Sequence, residues 1–101
     1  MDTRSSTLTQ IIKIDQRVQK TLKSTRYRSI QHNLRTLKNT TGHAIITVQD
    51  PQDMTKRITL RKNSEKAKQL LQRYQQLSDQ YQRQFKELQK QKNTLKKTLF
   101  R

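Results

Sequence analysis

Six cations, Lys13, Arg17, Lys20, Arg28, Arg35 and Lys38, recur at intervals of four, three, eight, seven and three residues. Wound on one α-helix at about 100° per residue, they occupy a sector of roughly 80° that runs for roughly 40 Å. A stripe of one sign is suited to a polyanion, because each guanidinium or ammonium set against a phosphate releases a condensed counterion. Tyr27 stands between Arg26 and Arg28. There it has two readings, a ring that stacks on a base while the arginines hold phosphates, or a ring packed at a hinge. Arg57 and Arg61 add two further cations to a short segment of alternating pattern.

Other chemistry lacks its residues. There is no cysteine, hence no thiolate nucleophile, no disulfide framework and no cysteine-based zinc site. His32 and His43 stand eleven residues apart with no acid at ligand spacing, so no metal is expected. A single glycine cannot build a phosphate-cradling loop. No serine or threonine sits in a nucleophile elbow, so no enzyme, no catalytic residue and no cofactor is expected.

The elements that must carry these cations follow from the period of the apolar residues. Thr7 and Gln10 fit a capping box at a helix start. Leu8, Ile11, Ile12, Val18 and Leu22 then recur at helical spacing, and Ile30, Leu34 and Leu37 continue it towards a stop at Asn39 and Gly42. Ser24, Thr25 and Arg26 interrupt the stripe, which leaves one long helix or two with a hinge. Beyond Gly42 the period becomes two: Ala44, Ile46 and Val48 share one face, as do Ile58 and Leu60, around turn chemistry at Asp50-Pro51-Gln52-Asp53. That is a β-hairpin with an apolar face and a face carrying Thr47, Arg57, Thr59 and Arg61. Asn63-Ser64-Glu65 starts a last helix that nothing breaks before Arg101. Ala67, Tyr74, Tyr81, Leu88 and Leu95 occupy one heptad position and Leu70, Leu77, Gln84, Gln91 and Thr98 its companion, a coiled-coil-like seam that is fair in its first half and weak in its second.

The expected fold is therefore mainly α with a small β-hairpin, an α+β chain of three segments. Residues 1–42 form a basic N-terminal helical arm, 43–62 the hairpin, and 63–101 a long basic C-terminal helix. The net charge is +16, with nine basic against two acidic residues in the first segment and ten against three in the last, so both arms are polycations.

The order of elements resembles a group of small basic proteins encoded beside transposases in prokaryotic mobile elements. The matching residues are Arg26-Tyr27-Arg28, Gly42-His43, the strands around Ile45 and Ile58, and the run from Glu65 through Tyr74 and Leu77. The likeness covers roughly residues 20–90. That group usually carries a cysteine-rich loop after the Arg-Tyr, whereas Ser29–Leu37 contains no cysteine.

The functional expectation is a nucleic-acid-binding protein, for DNA or RNA, acting mainly through phosphates as an accessory or regulatory factor in a nucleoprotein complex. Lys13, Arg17, Lys20, Arg26, Tyr27, Arg28, Arg35, Lys38, Arg57 and Arg61 are its candidate contacts. Leu70, Tyr74, Leu77, Tyr81 and Leu88 are expected to join a second copy or a partner coiled coil. The alternative is a structural or adaptor coiled-coil subunit of a larger assembly. Membrane-surface binding by the first helix needs more bulky apolar residues than Leu8 to Leu22 supply. No signal-like or membrane-spanning apolar run occurs, which leads to an expectation of a cytoplasmic, nucleoid or nuclear rather than secreted protein.

Overall fold

The computed structural model describes residues 3–39 and 43–99. The chain runs α1 (Thr3–Leu22), α2 (Thr25–Asn39), β1 (Ile45–Gln49), β2 (Arg57–Arg61) and α3 (Glu65–Leu99). It is mainly helical with one antiparallel hairpin, as the periodicity predicts. The stop expected at Gly42 and the terminal Arg101 lie outside the described residues.

One residue decides between one N-terminal helix and two. The Ser24 hydroxyl donates to the Thr21 carbonyl at 2.7 Å and accepts from the Tyr27 amide at 3.2 Å. It thus closes α1 and caps α2 at once, adding a second donor to a carbonyl that the Ser24 amide already meets at 3.0 Å and satisfying the Tyr27 amide that the start of α2 would otherwise leave free. The capping box expected at Thr7 is not a helix start. Helix α1 begins at Thr3, and Thr7 is buried one turn in. Ser64 starts α3 as the sequence predicts, its hydroxyl accepting from the Ala67 amide at 3.2 Å.

At about 1.5 Å per residue, the 35 residues of α3 make a rod of roughly 52 Å inside a molecule 62 Å long. Both shorter helices lie antiparallel along it. Tyr27 meets Tyr81, the Gln31 amide donates to the Ser78 hydroxyl at 3.0 Å, and Asn33 reaches Tyr74, so α2 covers the first half of α3. Lys92 pairs with Asp15 at 2.7 Å, so α1 covers the second half. Buried Ser78 is small enough to let α2 approach closely.

The hairpin sits at the α2 end. Val48 stands opposite Ile58 and Ile46 opposite Leu60, which puts all four on one face. That face closes a core with Ile30, Leu34 and Leu37 of α2 and Ala67, Leu70, Tyr74 and Leu77 of α3. A two-stranded ribbon is marginal alone and here gains its stability from two helices. The three sequence segments therefore share one core.

The coiled-coil seam is the element that reads differently. Leu70, Tyr74, Leu77 and Leu88 are buried by this chain itself, and Tyr81 is half-buried. The self-association expected of them rested on an exposed seam, and that surface is filled by α2, the ribbon and α1. Among the described residues the exposed large apolar ones are instead Leu8, Ile12 and Leu22 on α1 and Ile45 on β1.

Candidate functional site

Asn33 is the residue that brings α2 and the ribbon together. It lies on the inner face of α2, and its side-chain oxygen accepts the Gln49 backbone amide at 3.2 Å while its amide donates to Gln49 Oε1 at 2.8 Å. The same strand end is held from α3, where the Tyr74 hydroxyl donates to the Gln49 carbonyl at 2.6 Å. Gln49 Nε2 then donates to the Met54 carbonyl at 3.0 Å, tying the turn to the strand. Burial pushes the Tyr74 phenol up to about 12, with the nearby Asp50 charge adding to the rise against Arg26. Tyr74 is therefore a neutral donor, and the network is fully satisfied.

Pinned in this way, the outer side of α2 and the ribbon diverge to leave an open groove of about 900 Å³. Arg28 and Arg35 enter it from α2 and Arg57 from β2, with His32, Gln31, Ser29, Thr25 and Thr47 between them. None of its lining residues is acidic. Arg28 and Arg35 are seven residues apart, two helical turns on one face, opposite Ile30, Leu34 and Leu37. The two carboxylates nearest in sequence belong to the turn: Asp50 Oδ1 accepts the Gln52 amide at 2.9 Å, and Asp53 Oδ1 accepts the Thr55 hydroxyl at 2.6 Å and amide at 3.1 Å. Those hydrogen bonds, the hydroxyl's first, hold the Asp53 carboxyl below the usual carboxylate range despite partial burial.

Most of the remaining expected contacts fall elsewhere. The break at Ser24 splits the continuous stripe into Lys13, Arg17 and Lys20 on α1 and Arg28, Arg35 and Lys38 on α2, all exposed. Arg26 opens onto a smaller recess with Leu77, Gln80, Tyr81 and Gln84. Arg61 stands at the far end of the ribbon, opposite Ile45. Tyr27 stands at the hinge and also borders the groove. Its ring is half-buried, packs edge to face with Tyr81 at 5.2 Å and Phe85 at 5.7 Å, and lines one end of that opening.

Sequence reasoning passed over Asn33 and Gln49, and weighed His32 only as a metal ligand. The signal for Asn33 was its place among Ile30, Leu34 and Leu37, where a polar residue must find a buried partner. Among the described residues no group of three or more histidine or acidic side chains could hold a metal, and no helix is long and apolar enough to cross a membrane. No family model, curated protein or solved structure matches this chain.

Proposed function

We propose that the protein binds nucleic acid, chiefly through phosphates, as an accessory or regulatory factor in a nucleoprotein complex. The observation that carries this reading is the groove in which Arg28, Arg35 and Arg57 converge with no carboxylate among them. Solvated surfaces intersperse both signs, whereas three guanidiniums from two elements facing one opening favour an anion with repeated charges. The net charge of +16 supports the same partner by steering it over long range.

The test is a salt titration of affinity for a labelled duplex. Replacing Arg28, Arg35 and Arg57 together with Gln should weaken binding to all sequences and flatten the log–log salt slope by about two to three. The same change at Lys90, Lys92 and Lys96 should flatten it less. An unaltered slope in the groove variant would show that the groove is a solvated surface and overturn this reading.

A second reading, an adaptor subunit, is favoured by Leu8 and Ile12, one turn apart on α1 and 49% and 53% exposed. Replacing both with Lys would shift the sedimentation mass if they meet another chain.

A further inference from the structure

The ribbon has a second face. In its register Ile45 stands opposite Arg61, Thr47 opposite Thr59 and Gln49 opposite Arg57. Alternation puts these residues on the side away from the core. Gln49 is engaged by Asn33 and Met54. The other five are exposed, Ile45 by 69%, and the Thr47 and Thr59 hydroxyls meet across the strands at 3.1 Å. The result is a flat array with a hydroxyl pair at its centre, a guanidinium towards each end, one apolar corner and no carboxylate.

We propose that this face of the β1–β2 ribbon enters the major groove of duplex DNA and contacts base edges there through Ile45, Thr47, Thr59 and Arg61, while Arg28 and Arg35 of α2 and Arg57 of β2 rest on the bordering phosphates. The inference rests on the nucleic-acid reading above and adds to it the duplex, the groove and the reading residues.

Dimensions support it. Paired strands lie about 4.8 Å apart, and a major groove about 12 Å wide admits a two-stranded ribbon with its side chains. Five paired residues at about 3.3 Å span about 16 Å, the rise of roughly five base pairs at about 3.4 Å each. The side chains suit the edges they would meet. A guanidinium matches guanine O6 and N7, a threonine hydroxyl donates or accepts, and the Ile45 side chain and threonine methyls suit the thymine methyl. The carboxylates of Asp50 and Asp53 at the tip repel phosphate, so the ribbon enters by its middle and its Arg61 end.

The same observations disfavour the other nucleic acids. The A-form major groove of duplex RNA is too deep and narrow for a ribbon. Single strands are held largely by stacking on exposed rings. Among the described residues Tyr74 is fully buried, and Tyr27, Tyr81 and Phe85 are half-buried and pack on one another rather than standing as fully exposed rings.

The experiment compares one sequence as duplex DNA, duplex RNA and single-stranded DNA at fixed salt, and then selects preferred sites from randomised duplex DNA. Duplex DNA should win by about tenfold or more, and selection should yield a site of roughly five base pairs. Thr59→Val, outside the lining of the groove, keeps shape, strand propensity and charge. It should cost about tenfold on the selected site and leave both the affinity for unselected duplex and the salt slope unchanged. Equal binding of duplex RNA, failure to enrich any site, or a uniform loss across all sequences in the valine variant would each overturn ribbon readout while leaving phosphate binding standing. Absence of salt-dependent binding to all three probes would overturn both.

Discussion

Tyr74→Phe removes a single oxygen from the centre of the molecule, and the structure fixes what that should cost. The hydroxyl donates to the Gln49 carbonyl at 2.6 Å and accepts from the Asn33 amide at 3.4 Å, inside a side chain with no exposed surface. Its loss leaves a half-buried carbonyl without that donor, a penalty of about 1 to 3 kcal/mol. Against a total stability of about 5 to 15 kcal/mol for a small domain, that is a large fraction. A loss of about 2 kcal/mol should lower the melting temperature by roughly 10 °C. The same group sets an alkaline limit. The phenol pKa is raised from 10.0 to about 12, so between those values the unfolded chain releases a proton that the folded chain keeps. The stabilisation is whole below about pH 10 and declines as pH rises towards 12, by up to about 1.4 kcal/mol per pH unit. Every other titratable group is common to both proteins, so the wild-type minus Tyr74→Phe difference in urea stability isolates this residue. A variant within about 0.5 kcal/mol of wild type at pH 7, or a difference that stays flat from pH 9 upwards, would refute the reasoning.

Ile46→Asp buries a carboxylate between α2 and α3 and should unfold the ribbon end at neutral pH, measured by loss of the cooperative thermal transition. Replacing Leu70 and Leu77 with Lys should unfold the protein rather than release a monomer, because both lie in this chain's own core; circular dichroism with sedimentation distinguishes the two. Ser24→Ala removes the hydroxyl shared by α1 and α2 and should cost about 1 kcal/mol by chemical denaturation, while Ser24→Gly should cost only a few tenths. In α1 and the second half of α3, polycationic helices lie side by side with Asp15–Lys92 between them, so α1 amides should exchange faster than those of α2 and slow as salt screens the repulsion.

Much of the fold follows from period alone. The change from helical spacing to alternation after residue 43 locates the ribbon, and Pro51 with its two aspartates locates the turn, so Ile46, Val48, Ile58 and Leu60 face inwards as read. The heptad pattern of α3 correctly marks its inner face, but periodicity says which side of a helix is buried and not what buries it. Leu70 and Leu77 would look the same against a second copy as against Leu34 and Leu37. Length offered the missing constraint: a chain with a hairpin and two short amphipathic helices has its own apolar faces to cover before it needs a partner's. The early start of α1 was hidden because Thr7 and Gln10 satisfy a capping pattern that buried Thr7, inside the helix, does not use.

The groove was legible only in pieces. Arg28, Arg35 and Arg57 were each singled out for charge, but their convergence depends on Asn33 reaching Gln49, a contact across sixteen residues that no local pattern encodes. Reading α1 and α2 as one helix assigned the cations to a stripe that Ser24 breaks. The break redistributes them by surroundings: Arg28 and Arg35 gain a third guanidinium from another element and a concave opening, while Lys13, Arg17 and Lys20 keep only a convex helix face. Concavity matters because a shielded opening with low-dielectric walls concentrates the field that an open face loses to solvent. The groove cations should therefore govern bound affinity and register, and the α1 cations the long-range approach that salt screens first.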